Sequence, residues 1–198
     1  MKEFIRDDVY TLVEDILAKV LDIDKSEIHA DSSLINDLGA ESIDFLDVMR
    51  RIEDELDILL PDANVFEYLT QKYGKEEFFR DCSLNDRGVQ ILRMAMPEIE
   101  PERITTETKE FDIASLITAT TFVNLVERYY DVASWKPDKC DRCGSIQTNQ
   151  IDPNDDDYID LNLPIGPIFI CKNCGELLIP PRPEDQLYEG VVNNPVNA

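Results

Sequence analysis

The fold is decided by residues 31–44, which read Asp31-Ser32-Ser33-Leu34-Ile35-Asn36-Asp37-Leu38-Gly39-Ala40-Glu41-Ser42-Ile43-Asp44. Turn-forming and cap-forming residue types are concentrated in this segment, and Gly39 permits a tight turn just before Ser42. The segment is flanked by two amphipathic patterns, so it is predicted to be a loop between two helices, with Ser42 capping or beginning the second.

The flanking patterns have helical spacing. Over residues 1–21 the apolar residues recur every three or four positions, at Ile5, Val9, Leu12, Ile16 and Val20. The following helix is predicted over 42–59, with an acidic outer face and a buried stripe of Phe45, Met49, Ile52, Leu56 and Leu59. Pro61 ends it, because a proline disfavours helix in the residue before it.

Further helices are predicted over 64–73, 76–81, 85–96 and 113–130. After Trp135 the apolar runs shorten to strand length, and a domain boundary is placed near 132–137. The prediction is therefore a helical domain over 1–131, a small β domain over 137–180 and a loose tail over 181–198, where prolines accumulate.

Two Cys-x-x-Cys-Gly motifs lie in the predicted β domain, one at Cys140 and Cys143 and the other at Cys171 and Cys174. Two such knuckles can supply four thiolates to one tetrahedral metal ion. The motifs resemble those of zinc ribbons and rubredoxins. We favour structural Zn²⁺ over iron, because Lys172 stands where rubredoxins usually have proline; two disulfides are the remaining alternative. The fifth cysteine, Cys82, is predicted to be a partly buried apolar residue.

Residues 3–60, and again about 104–130, resemble the acyl carrier protein family. The resemblance rests on the first amphipathic helix, the Asp31-x-Ser33-Leu34 segment, Asp37-Leu38-Gly39, Ser42 and the acidic helix after it. It implies a four-helix bundle in which Ser42 carries a covalent 4′-phosphopantetheine, whose thiol holds acyl groups as thioesters. Such a protein is a carrier and not an enzyme. One departure is Glu41, since the family usually has aspartate there.

The resemblance also implies partners: a phosphopantetheinyl transferase, and acyl-transfer or synthase enzymes that bring basic patches to the acidic helix. The docking residues that it implies are Ile43, Asp44, Leu46, Asp47, Arg50 and Glu53. In the family the connection before the last helix is short, whereas residues 62–110 are long and apolar enough to fold. We expect extra helices there, which either cover the acyl cavity or merely extend the core.

Composition limits the function classes. With 19 basic and 42 acidic residues the net charge is −23, which disfavours nucleic acid and anionic membranes as partners. No run of apolar residues is long enough for membrane insertion, and no export signal is evident, so a cytoplasmic location is predicted. A Ser-His-Asp hydrolase would have to use His29, the single histidine, without a Gly-x-Ser-x-Gly motif.

The function predicted is that of an acyl carrier for fatty-acid, polyketide or related lipid biosynthesis. Two alternatives remain open at this point. The ribbon is either a protein-docking module or a rubredoxin-like electron carrier, with the helices as its scaffold. The acidic loop at 152–160 begins like a calcium loop but lacks its later ligands, and is predicted to be a solvated hairpin tip.

Overall fold

Three long helices form the bundle that holds the serine loop. The computed structural model describes residues 5–61, 65–151 and 166–193; the acidic loop at 152–160 lies outside them. Helix α1 (Arg6–Leu21) packs against both α2 (Ser42–Leu56) and α5 (Ala119–Ala133). Their facing stripes bury one apolar core, whose fully enclosed members include Val13, Leu17, Ile52 and Val126. None of the described helices is long and apolar enough to cross a bilayer.

Helix α2 is shorter than predicted. It ends at Leu56 because Asp57 adopts the left-handed conformation, with φ of 53°, which short polar side chains tolerate better than most. The chain then turns away, so the prediction that Leu59 is buried is wrong: its exposed fraction is 56%. Val48 and Ile52 are the residues of α2 that are fully buried.

The segment between α2 and α5 folds around a core of its own, as expected. Helices α3 (Val65–Tyr73) and α4 (Asp86–Ala95) each contribute buried residues to it. The buried members include Phe66, Leu69, Phe78, Leu84, Ile91, Leu92 and Ile104. A 3₁₀ turn at Lys75–Glu77 follows α3, and 3₁₀ segments at Pro101–Arg103 and Glu110–Leu116 lie between α4 and α5.

The helix predicted over 76–81 is wrong. A two-strand hairpin takes its place, with β1 (Phe79–Arg80) paired to β2 (Ser83–Leu84). Asp81 and Cys82 form its tip with φ of 50° and 64°, the left-handed backbone that a two-residue hairpin turn requires. Cys82 is therefore exposed at the tip, and its predicted burial is also wrong.

The last bundle helix begins later than position 113. Residues Glu110–Leu116 form a 3₁₀ helix, and α5 starts after Thr118, whose Oγ1 accepts a hydrogen bond from the Thr121 backbone N–H at 3.3 Å. A threonine in this position satisfies an N–H that the first helical turn leaves unpaired. The cap therefore fixes the start of α5.

The C-terminal part contains a small antiparallel sheet in the order β3 (Thr148–Gln150), β4 (Phe169–Cys171) and β5 (Leu177–Leu178). Cys171 pairs with Thr148, and Phe169 pairs with both Gln150 and Leu178. The predicted fold class, a helical domain with inserted helices and a small β domain, is confirmed.

The loose tail predicted after residue 180 is wrong for most of its length. Residues Pro183–Asn193 form α6, which packs against α3 and α4 of the insert. The Tyr188 ring stacks on Tyr73 with centroids 3.9 Å apart, and the Asp185 carboxylate accepts hydrogen bonds from Lys72 and Tyr68. The chain therefore returns from the β domain to close one side of the insert.

Candidate functional site

The loop before Ser42 is held by hydrogen bonds to the segment that leads into α5. Buried Ser33 donates from Oγ to the Ser115 carbonyl at 2.6 Å, and the Leu34 backbone N–H donates to the Ile117 carbonyl at 2.9 Å. The Asp37 carboxylate accepts from the Ser33 N–H at 2.8 Å. The bonds to Ser115 and Ile117 join residues about 80 positions apart along the chain, so the loop is fixed by tertiary contacts as well as by its own turns.

Ser42 begins α2 but does not cap it. Glu41 is the N-cap residue, and its backbone N–H is bonded by the Asp44 carboxylate at 2.7 Å. Gly39, with φ of 72°, makes the turn that brings the chain to this point. Ser42 is exposed in the first helical turn, where unpaired N–H groups and the positive end of the helix dipole favour a phosphate. The capping alternative for Ser42 is thus not what the structure shows.

A cavity of about 360 Å³ opens beside Ser42, between the bundle and the insert. Its wall is mostly apolar and includes Phe45, Met49, Leu92, Met96, Ile113, Ile117, Phe122 and Leu125. Residues from both cores therefore line it, and the insert forms one of its walls. Of the two roles considered for the insert, it is the cavity wall that the geometry supports.

The wall also contains a buried polar pair. Tyr129 of α5 is 2% exposed and Glu184 of α6 is 4% exposed, and the tyrosine hydroxyl donates to Glu184 Oε1. Burial, together with the neighbouring carboxylate, raises the pKa of Tyr129 well above its ordinary value, so the hydroxyl keeps its proton as the donor. Glu184 Oε2 has no hydrogen-bond partner among the residues that the structure describes.

The four cysteines of the two knuckles meet at one point. Their Sγ atoms all lie within 4.8 Å of one another, and the Cys140–Cys174 and Cys143–Cys171 sulfur pairs are each 3.6 Å apart. A tetrahedral ion with metal–sulfur bonds of 2.3 Å separates its ligands by about 3.8 Å. A disulfide would need about 2.05 Å. The sulfur positions fit a four-thiolate metal site and exclude disulfides in this structure.

The two knuckles have the same backbone. Gly144 and Gly175 have φ of 71° and 74°, and each donates its N–H to the carbonyl of the first cysteine in its motif. At Cys143, hydrogen bonds from the Asn173 side chain and from the Ser145 backbone lower the pKa of the thiol to about 6. Groups that donate to sulfur favour the thiolate, which is the form that binds metal.

Comparison with known proteins agrees with this geometry. The profile of a family described as "Phosphopantetheine attachment site" matches residues 11–70. The acyl carrier protein of Clostridium acetobutylicum is 46% identical over 54 residues, which are 27% of this chain and 70% of that protein. The acyl carrier protein of Treponema denticola is 35% identical over 69 residues, 34% of this chain and 88% of that protein. The chain belongs to the acyl carrier protein family.

Membership confirms the prediction of a carrier rather than an enzyme. The family profile covers most of α1, the serine loop, α2 and the start of the insert in this carrier protein. The acyl carrier protein of Bdellovibrio bacteriovorus, at 35% identity over 56 residues, likewise covers 28% of the chain and 72% of its own length. The comparison with solved structures found no match to this chain.

The residues predicted for docking fall into two groups in this carrier protein. Ile43 and Leu46 are 65% and 51% exposed, which is unusual for apolar side chains on a bundle helix, and Arg50 lies on the same face one turn on. The carboxylates are engaged within the chain. Asp44 bonds the Glu41 N–H, as described above. Asp47 pairs with Arg51, Arg50 with Asp54, and Glu53 accepts from the Leu60 N–H.

Sequence reasoning missed Glu184 and Tyr129 as site residues. A signal was present in Arg182-Pro183-Glu184-Asp185, because proline at the first helical position followed by acidic residues is typical of a helix start. What the sequence could not supply is the direction in which that helix returns to the insert.

Proposed function

We propose that this protein carries acyl intermediates of fatty-acid, polyketide or related lipid biosynthesis on a 4′-phosphopantetheine arm attached to Ser42. The observation that supports it best is an exposed serine hydroxyl at the start of an amphipathic helix, next to the opening of an apolar cavity. The family match supports the carrier role; the pathway is our inference from the apolar wall, which suits an alkyl chain.

The site residues fit the arm. Gly39 leaves open space where a side chain would stand, and the first turn of α2 offers backbone N–H groups to a phosphate. When bound, the arm supplies a thiol that carries acyl groups as thioesters. For its attachment, Ser42 Oγ bonds to the phosphorus of coenzyme A that carries the pantetheine group, and the serine hydroxyl gives its proton to the transferase. The pyrophosphate bond breaks and adenosine 3′,5′-bisphosphate leaves.

We further propose that the phosphopantetheinyl transferase and acyl-transfer or synthase enzymes dock on the exposed face of α2. Ile43 and Leu46 would supply apolar contact there, flanked by Arg50. The charges of Asp44, Asp47 and Glu53 would contribute to long-range steering of basic partners even though each has a partner within the chain. A net charge of −23 extends that field over the whole surface.

For the four-cysteine cluster we propose one structural Zn²⁺ bound by Cys140, Cys143, Cys171 and Cys174. Four protein thiolates close the coordination shell, so no open position is left for catalysis. The carrier would then consist of a helical unit over 1–131 and a ribbon over 137–180. The rubredoxin-like alternative, with iron in the same shell, is distinguished by colour and by elemental analysis.

The test of the function is intact-mass measurement after incubation with coenzyme A, Mg²⁺ and a broad-specificity phosphopantetheinyl transferase. We expect the wild type to gain one phosphopantetheine and Ser42→Ala to gain none. Ser32→Ala, which changes a second serine of the same loop, is the matched control and should still be loaded. A folded wild type that gains no mass with several transferases would refute the assignment.

A further inference from the structure

Residues of α5 from Thr121 to Tyr129 line the cavity beside Ser42. Phe45, in the first turn of α2, contacts Phe122, in the first turn of α5, with ring centroids 6.3 Å apart. The Ser42 end of the cavity therefore lies beside the start of α5. Tyr129 lines the cavity seven residues further along the same helix. At 1.5 Å per residue this is about 10 Å from Phe122, so Tyr129 and Glu184 mark the end that lies away from Ser42.

The end of the cavity that lies away from Ser42 contains a buried carboxylate, that of Glu184. Glu184 is 4% exposed, and its Oε1 is bonded by the Tyr129 hydroxyl. Glu184 lines the same cavity, and its Oε2 is buried without a hydrogen-bond partner in the described part of the chain. A buried acceptor with no donor is costly and rare in folded proteins. An oxygen placed in this way points to a ligand that brings a donor.

The surrounding charges restrict what kind of donor fits. Arg128 also lines the cavity, and its Nη2 donates to the Ala95 carbonyl at 2.7 Å. Arg128 and Arg182 are both close enough to act electrostatically on the Tyr129 hydroxyl. Two guanidinium groups near Tyr129 and Glu184 disfavour a further cation, such as an ammonium group on the ligand. A hydroxyl avoids that repulsion, and it can donate to a carboxylate or accept from a carboxyl group.

We propose that the cargo of this carrier is an acyl chain with a hydroxyl near its distal end, and that Glu184 Oε2 accepts a hydrogen bond from that hydroxyl. The inference rests on the proposed attachment at Ser42. In this arrangement the alkyl part of the chain lies along Phe45, Met49 and Phe122, while α5 and α6 provide the polar end. The Tyr129 hydroxyl positions Glu184 by occupying its other oxygen.

The experiment loads the wild-type protein from coenzyme A thioesters in matched pairs. Each pair has the same chain length, in a series from hexanoyl to dodecanoyl, and ends either in a methyl or in a hydroxyl group; an amino-terminated chain forms a third arm. The lifetime of the thioester in hydroxylamine measures how well the chain is sheltered. A second readout is the NMR resonance of the Glu184 carboxyl carbon, which requires no substitution.

At one or more lengths we expect the hydroxyl-terminated thioester to survive about ten-fold longer than its methyl-terminated partner, since a hydrogen bond to a charged group contributes at least that factor. The Glu184 resonance should shift only with the hydroxyl-terminated chain. Glu184→Leu should abolish the preference or reverse it, and Tyr129→Phe, which removes the hydroxyl that positions Glu184, should reduce it. The amino-terminated chain should give no gain.

Equal lifetimes for both members of every pair, together with an unchanged Glu184 resonance, would overturn the proposal. The same holds if the amino-terminated chain is sheltered best, since the pair would then be a cation site. Failure of the wild type to accept any arm at Ser42 would instead refute the proposed function. The melting temperatures of the holo forms show whether each variant is folded. If Glu184→Leu does not fold, the matched acyl pairs on the wild type still test whether the cavity prefers a distal hydroxyl.

Discussion

Replacing Ser33 by alanine tests whether the serine loop is positioned by its tertiary contacts. Ser33 is 4% exposed; its Oγ donates to the Ser115 carbonyl at 2.6 Å and accepts from the Asn36 N–H at 3.2 Å. Alanine removes both bonds, so the Ser115 carbonyl and the Asn36 N–H each lose a hydrogen-bond partner. Two net hydrogen bonds of about 1 kcal/mol each give a loss of about 2 kcal/mol, or about a 30-fold rise in the opening constant.

The assay is native-state amide exchange of the slowest amides of α1, α2 and α5, combined with the rate at which a transferase loads Ser42. Exchange suits a protein with two cores better than a single unfolding curve, because local free energies are read separately. We expect Ser33→Ala to lower protection in the bundle and to slow loading, because Ser42 begins the helix that this loop leads into.

Ser115→Ala is the matched control. The Ser115 hydroxyl donates to the Asp112 carbonyl at 2.6 Å, so this substitution removes one bond at a half-buried position and preserves the backbone carbonyl that Ser33 uses. It should cost about 1 kcal/mol or less and leave loading unchanged. Equal effects of the two substitutions on both readouts would refute the argument that the Ser33 contact positions the loop.

Four further predictions address other parts of the molecule. Gly88→Ala should destabilise the insert by about 1–3 kcal/mol, since an added Cβ would lie 2.3 Å from a backbone carbonyl oxygen; unchanged exchange in α3 and α4 would contradict this. A strong chelator should release one Zn²⁺ per chain and unfold the ribbon while most helical circular dichroism remains; finding iron or no stoichiometric metal would contradict it. Ile43→Ser with Leu46→Ser should slow loading several-fold without lowering the melting temperature, whereas Leu59→Ser, equally exposed but beyond α2, should not. In a spectrophotometric titration one tyrosine should ionise well above pH ~10 and disappear in Tyr129→Phe. Because the folded pKa is raised, the stability from this group is complete below about pH 10 and falls as the pH rises toward the folded value.

Much of the helical part can be predicted from sequence because its signals are local. Apolar residues at helical spacing define α1 and α2, the residue types around Gly39 define the loop, and the insert helices α3 and α4 lie within one residue of their predicted bounds. The errors occur where a local signal is ambiguous. The short apolar pair Phe78-Phe79 suits a helix or a strand equally, and the choice is made by the tight turn at Asp81 and Cys82 and by a core that buries both rings.

Local sequence patterns are enough to predict a carrier with a serine at a helix start, and four cysteines in two knuckles that can share one metal. Both follow from spacing, because a few residues adjacent in the chain hold the chemistry. Tertiary structure alone decided that α6 returns from the ribbon to the insert, and that Glu184 thereby meets Tyr129 from a helix 55 residues earlier. Contacts at such separation depend on how whole elements pack, and no local pattern of charge or hydrophobicity specifies which partner a helix will choose.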